Sequence, residues 1–297
     1  MKKKHGLILD KERLYMSKTE SNIKFLDNLL NNHPVLGFPK TRSVDEYIRA
    51  EREYLLPALE MTNFCTHVQQ IFINELIKGY SEVNGRKINY MEIGLYYGAS
   101  LVSAMANNTD YLNKVIANDF FEWHDNSVQK FIRSFLKAFN EISGKDYTLE
   151  NKGEIFTGYK DFVYNLSSQR IIPIVAPIDL TVVAGDCWEK KNDILNMWGN
   201  EKVDIYYYDG DHSQKAQKDA VIEFIPCYAD EFIYMVDDYT NSGVQDGTRE
   251  GIEHLTNNGY DLLYEINTMD RWEGHIHEKD GWGDGWYISY LKKHKER

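Results

Sequence analysis

Cysteine is scarce in this 297-residue chain. Cys65, Cys187 and Cys227 are odd in number, far apart and without any CxxC spacing. That excludes a disulfide framework or structural zinc site and makes a reducing compartment, the cytoplasm, the expected location. Basic residues are also short: 34 Lys and Arg face 46 Asp and Glu, a formal charge of −12. Sequence-independent nucleic-acid binding needs a basic face, so no nucleic-acid partner is expected. Long apolar runs are missing as well. The longest, around 171–184, is broken by Pro173, Pro177 and Asp179, and no membrane span is expected. The opening MKKKHGLILDKER is basic but has no apolar core behind it, so no secretory leader is expected. Internal repeats and low-complexity tracts are absent too.

What the chain does have is short apolar runs that stop abruptly in carboxylates. Val203–Tyr208 runs into Asp209-Gly210-Asp211-His212-Ser213, and the run 232–236 ends in Asp237-Asp238. Buried parallel strands look like this where they end at the working edge of a sheet, and ligands collect beyond the carboxyl ends of such strands. Asp209, Asp211, Asp237 and Asp238 are therefore expected to share one crevice. Carboxylates so close repel one another, and a proton or a cation is expected among them.

Taken in order, the chain begins with polar residues and helical patterns over 18–30, 43–56 and 65–80. Ser43 with Glu46 marks the start of the second. Strand patterns follow at 88–93, 114–118, 180–184, 203–208, 232–236, 261–266 and 286–291. Helical patterns lie between them at 101–106, 190–198, 214–224 and 248–257. Such alternation predicts an α/β fold: a doubly wound, Rossmann-like, seven-stranded sheet. The last two strands, joined by the Gly- and Trp-rich stretch 275–285, are expected to close it antiparallel. About sixty residues separate the second and third strands, more than one crossover needs, and an amphipathic pattern at 128–142 lies among them with a weaker one at 161–166. The expected organisation is an N-terminal helical extension over 1–84, serving as a cap or dimer surface. A domain over 85–297 would follow, carrying a helical lid insertion at about 121–178.

Three further stretches carry chemistry. Glu92-Ile93-Gly94-Leu95-Tyr96-Tyr97-Gly98-Ala99-Ser100 is a glycine turn from the first strand into a helix, allowing close ligand approach and offering free N–H groups. It lacks the dinucleotide spacing GxGxxG, and Leu95 and Tyr96 would crowd a pyrophosphate. Asp119 ends the second strand, where an acid accepts hydrogen bonds from ribose hydroxyls. Gly185-Asp186-Cys187-Trp188 follows the third strand and offers a carboxylate and a ring to an adenine. The alternative for each of Asp119 and Asp186 is a helix cap, with ribose binding the favoured reading of Asp119. Asp209, Asp237 and Asp238 are hard oxygen donors suited to magnesium, manganese or calcium, and either Asp211 or His212 would act as general base. The alternative is that these acids cap helices and His212 is structural. His275, His277 and Glu278 form an HxHE pattern, for which a solvated or substrate-facing role is the simpler reading.

Together, EIGLYYGAS, Asp119, AGD, YYYDGDHS and VDDYTNSGVQDGT resemble the class I S-adenosylmethionine-dependent methyltransferases. The nearer likeness is to the branch of macrocin and aminocoumarin-sugar O-methyltransferases, over about residues 88–291. The resemblance implies a Rossmann-like fold, S-adenosylmethionine as cofactor and a divalent cation such as Mg2+. It implies Glu92, Gly94, Tyr97, Gly98 and Ser100 around the methionine and ribose, and Asp119 at the ribose hydroxyls. Gly185, Asp186 and Cys187 would lie at the adenine, with Asp209 reaching both cofactor and cation. It further implies a cation held by Asp209, Asp237 and Asp238, and Asp211 as base, with His212 competing for that role. The expected activity is methyl transfer to a hydroxyl of a sugar, glycan or natural-product precursor, with the N-terminal helices as the surface for a homo-oligomer. A nicotinamide-dependent oxidoreductase, a divalent-metal hydrolase and a non-catalytic cofactor-binding protein are the alternatives; the hydrolase would leave EIGLYYGAS and Asp119 without a task.

Overall fold

The computed structural model of the chain describes residues 16–37, 40–61, 65–95, 98–120, 170–268 and 282–294. The expected insertion helices at 128–142 and 161–166 lie outside these residues, as do Tyr96, Tyr97, Trp272, His275, His277 and Glu278.

Among the described residues four α-helices precede the sheet: α1 Lys18–Asn31, α2 Val44–Glu51, the short α3 Leu56–Leu59, and α4 His67–Asn84. Their starts follow local chemistry. Ser17 and Thr66 close capping boxes with Glu20 and Gln69, and the Ser43 hydroxyl accepts the Glu46 N–H at 3.2 Å. Then come β1 Ile88–Ile93, α5 Ala99–Met105, β2 Leu112–Asp119, α6 Ile172–Val175, β3 Asp179–Ala184, α7 Lys191–Trp198 and β4 Val203–Tyr208. The chain continues through α8 Gln214–Ile222, β5 Tyr228–Val236, α9 Ser242–Asn257, β6 Tyr260–Asn267 and β7 Tyr287–Lys293. α9 begins six residues before the apolar periodicity starts, because Asn241 caps it by accepting the Gly243 N–H.

The strands form one sheet in the order β3-β2-β1-β4-β5-β7-β6. All run parallel except β7, which is antiparallel to both β5 and β6. The closing pair is therefore antiparallel as the sequence suggests, with β7 inserted between β5 and β6. β1 and β4 are buried along their whole length, as central strands covered on both faces must be.

Side-chain alternation sorts the sheet into two cores. Tyr90, Ile205, Tyr207, Ile233, Met235 and Tyr290 face a cluster that includes Leu26 of α1, Tyr47 of α2 and Phe72 of α4. Met91, Tyr206, Tyr208, Tyr234 and Val236 face α7, α8 and α9. The N-terminal helices thus form, together with α5 and α6, one layer of the molecule. α1 is also tied to the sheet by polar contacts: Thr19 donates to Glu231 at 2.8 Å and accepts from Lys292 at 2.7 Å, and Asn22 donates to the Tyr290 hydroxyl at 2.9 Å. Among the described residues no helix is long and apolar enough to cross a membrane.

Candidate active site

Strand order reverses between β1 and β4, and register brings the chemistry there. Ile93 pairs with Tyr208, and Tyr208 with Val236. One step further along, Gly94, Asp209 and Asp237 lie side by side. Asp209 N–H donates to the Ile93 carbonyl at 2.7 Å, and Asp237 N–H to the Tyr208 carbonyl at 3.3 Å. Gly94 is required at its position. Its φ is +90°, and a Cβ there would sit 1.9 Å from the Asp209 carbonyl oxygen.

Glu92 ends β1 fully buried, accepting from the Tyr90 hydroxyl at 2.7 Å and from the Ser100 hydroxyl on α5. Burial pushes its carboxyl up to about 7 against the opposing pull of those two donors. Asp119, at the end of β2, accepts the Leu95 N–H at 2.6 Å and so binds the glycine turn to its neighbouring strand. Asn118 bridges the carbonyls of Val183 and Gly185 at 2.8 and 3.0 Å, fixing the end of β3. Asp186 accepts the N–H groups of Trp188 and Glu189, the local capping geometry. Cys187 is half-buried, and desolvation pushes its thiol up to about 12.

The carboxylates of β4 and β5 are arranged unequally. Asp237 is held by three donors: the Tyr207 hydroxyl at 2.9 Å, its neighbour's Asp238 N–H at 2.7 Å, and Gln69 Nε2 at 3.3 Å. Asp238 adopts the left-handed conformation, φ +55°, and its Oδ2 lies 2.9 Å from His212 Nε2. That contact, more than the opposing desolvation, raises the His212 imidazole above its ordinary range. Desolvation, reinforced by Asp237 and Asp238, holds Asp209 well above the usual carboxylate range. Desolvation, reinforced by Asp238, brings Asp237 to about 7. Asp211 is exposed, and its Oδ1 accepts the Ser213 N–H at 2.7 Å. One ligand atom each from Asp209, His212 and Asp238 lie within 4.8 Å of one another.

These side chains open onto a cavity of about 1380 Å³. Ser100, Asp209, His212, Asp237 and Asp238 line its floor, and α2, α3 and the start of α4 supply the opposite wall, with Ile48, Arg49, Leu59 and Gln69 among them. Glu92, Asp119, Gly185, Asp186 and Cys187 stand at the adjoining ends of β1, β2 and β3 instead. Three residues on the site escape the sequence reading. Tyr207 had a signal: two positions before Asp209 on a strand, it shares that residue's face. Cys65 lines the cavity, its thiol raised by burial and then by Asp237 and Asp209. Gln69 reaches Asp237 from 168 residues away, and its capping-box position says nothing of that.

No family model matches the sequence, and no curated protein matches it. The chain is similar to several solved structures at low identity. Cofactor-bound Rv0187 from MTB is 15% identical over 92% of this chain and 96% of that one, with a TM-score of 0.47. The O-methyltransferase from Bacillus cereus in complex with SAH is 13% identical over 91% and 96%, with a TM-score of 0.43. CalS11, a TDP-rhamnose 3'-O-methyltransferase in calicheamicin biosynthesis, is 14% identical over 92% and 93%, with a TM-score of 0.44. The strand order, with its reversal at β1 and β4 and its antiparallel β7, makes the chain a doubly wound, Rossmann-like α/β protein.

Proposed function

We propose that the protein is an S-adenosylmethionine-dependent O-methyltransferase of the cytoplasm, acting on a hydroxyl of a sugar, glycan or natural-product precursor with help from a divalent cation. One observation carries this: the ends of β1, β2 and β4 gather the carboxylates of Glu92, Asp119 and Asp209 beside a glycine turn, near enough that Asp119 adds to the upward push on the other two. Such a crevice suits a ligand with positive charge, such as the sulfonium and amine of S-adenosylmethionine. It opposes the pyrophosphate of a nicotinamide dinucleotide by like-charge repulsion. In this proposal Glu92, Gly94, Tyr97, Gly98 and Ser100 take the methionine and ribose portion, Asp119 the ribose diol, and Gly185, Asp186 and Cys187 the adenine.

When bound, the cofactor supplies a methyl group on an already activated sulfur. What remains for the chain is placement and proton removal. The cavity wall from α2 to α4 orients the acceptor, and either Asp211 or His212 takes the hydroxyl proton. Asp209, Asp237 and Asp238 are the oxygen donors available to a cation such as Mg2+, which would contribute Lewis-acid polarisation of the hydroxyl.

A thermal-shift series with S-adenosylmethionine, S-adenosylhomocysteine and NAD, each with and without Mg2+, tests the cofactor assignment. At a hundred times its dissociation constant a ligand stabilises by about 2.7 kcal/mol, a visible rise in Tm. The adenosyl compounds are expected to give that rise and NAD none; the reverse pattern rejects the proposal.

A further inference from the structure

We infer that Arg49 on α2 is an acceptor-specificity residue, and that the acceptor carries an oxyanion, a phosphate or a carboxylate, besides the hydroxyl that is methylated. The inference rests on the proposal that the cavity takes a hydroxyl acceptor, and adds the chemistry of that acceptor's far end.

The arginines single this residue out. Arg42 pairs with Glu51, Arg52 with Glu75, Arg86 with Asp204, Arg170 with Glu60 and Arg249 with Asp246. Alone among the described arginines, Arg49 has no carboxylate partner, although Asp45 and Glu53 stand one helical turn to either side in the sequence. It is exposed and lines the cavity. No lysine does so among the described residues. The other basic side chains there are His67 and His212, and His212 is taken up by Asp238. Arg49 is thus the one permanent cation lining the cavity without a counter-charge, among the described residues.

Charge is divided across the cavity. Asp209, Asp237 and Asp238 line the floor, and Arg49 belongs to the opposite wall. A guanidinium presents a planar fork of N–H donors that matches two oxygens of a carboxylate or phosphate. An anion at the floor would meet like charge, whereas at Arg49 it finds its complement. The two ends therefore admit an anionic acceptor in one direction, hydroxyl toward the floor and oxyanion toward α2. The cavity volume of about 1380 Å³ exceeds the roughly 300–1,000 Å³ of a usual small-ligand pocket, which leaves room for a ligand that reaches both ends. The helix is also fixed from behind: Tyr47 donates to Glu75 of α4 at 3.0 Å, and Glu75 takes Arg52 as well. Arg49 is presented from a seated helix, which suits a specificity contact better than a loop does.

The test uses the full chain with S-adenosylhomocysteine and Mg2+, and three probes that differ only at carbon 6: glucose, glucose 6-phosphate and glucuronate. Ligand-observed NMR reads their dissociation constants. At least one of the two anions is expected to bind about tenfold more tightly than glucose, as hydrogen bonds to a charged group allow, and which one it is tells phosphate from carboxylate. Arg49→Gln should erase most of that advantage. Arg49→Lys, which keeps the charge without the fork, should retain part of it. Asp45→Asn, which removes a carboxylate one turn away, should tighten the anion and leave glucose unchanged. Arg49 is exposed, so its replacement spares the core, which thermal melts check. Anions that bind no better than glucose overturn the inference. So does an advantage that survives in Arg49→Gln, which would put the anion on the cation instead. Either result in a protein whose Tm still rises with S-adenosylhomocysteine leaves the methyltransferase proposal standing, whereas a missing rise rejects that proposal by itself.

Discussion

Glu92 shows what a carboxyl buried near a strand end costs the fold. It is fully buried, and its carboxyl titrates near 7 instead of the usual 4.5. Between those values the folded protein holds a proton that the unfolded chain releases. Stability present below pH 4.5 is therefore lost as pH rises through 7. At about 1.4 kcal/mol per pH unit, the loss from this group is on the order of 3 kcal/mol. Glu92→Gln keeps an oxygen to accept from Ser100 or Tyr90 and cannot ionise. Its denaturation free energy is expected to exceed the unaltered protein's by about 2–3 kcal/mol at pH 8, and to differ little at pH 4.5. It should also bind S-adenosylhomocysteine at least tenfold more weakly. Urea titrations at the two pH values read the first effect, calorimetry the second; equal pH slopes for both proteins would remove the titration. At this scale the sequence was legible where a residue type stood out at a strand end, as with Glu92, Asp209 and Asp238. It was silent on partners: nothing in Tyr207 or Gln69 announces a hydrogen bond to Asp237.

At the scale of elements, α2 is the one whose placement shapes the cavity. Asp45, Ile48 and Arg49 lie on its cavity side, and at 100° per residue Tyr47 points away from them. There the Tyr47 hydroxyl meets His33 Nε2 at 3.1 Å and Glu75 of α4 at 3.0 Å. Glu75 also takes the Arg52 guanidinium, which lies 5.3 Å from the Tyr47 ring. His33 Nδ1 accepts the Val35 N–H at 3.3 Å, so the ring is built in as neutral, and desolvation, its largest influence, lowers its pKa from 6.5. The unfolded chain then takes up this proton first as pH falls. The contribution of His33 is full above pH 6.5 and is lost on acidification. Glu75→Gln leaves a half-buried guanidinium without its counter-charge and is expected to cost about 1–2 kcal/mol, discounted for partial exposure. Thermal melts at pH 7.5 would show it; an unchanged Tm would mean α2 is held by apolar packing alone. Helix starts of this kind were readable because capping is local: Ser43 and Glu46 are three residues apart. The contacts that seat the helix were not, because His33, Tyr47 and Glu75 come together only through packing.

For the whole molecule, alternating apolar runs disclosed the sheet and the sense of its strands but not the place of β7, since strand order depends on pairings between distant segments. The N-terminal helices were read as an extension, and their packing argues that they are core. Leu26, Leu30, Val35, Leu36 and Val44 are each at most 2% exposed and share one cluster with Ile205 and Ile233 of the sheet. Phe72 of α4 packs at 5.5 and 5.7 Å from Trp282 and Trp286, and Trp286 in turn lies 5.1 Å from Tyr207 beside the carboxylates. On that face of the sheet only α5 and α6 share the layer with them among the described residues. A fully buried aliphatic side chain contributes roughly 1.5–3 kcal/mol, so the loss of this set is comparable to the 5–15 kcal/mol that holds a typical domain folded. A chain lacking residues 1–61 is therefore expected to lose its cooperative melt and its binding of S-adenosylhomocysteine together. If it instead kept its Tm within about 5 °C and its binding, the helices would be a cap laid over a self-sufficient sheet, since each kcal/mol lost shifts Tm by about 2 °C or more in a chain of this size. Joint loss would mean that the layer completing the fold also forms a wall of the proposed active-site cavity, so that the proposed acceptor specificity could not drift there without a stability cost.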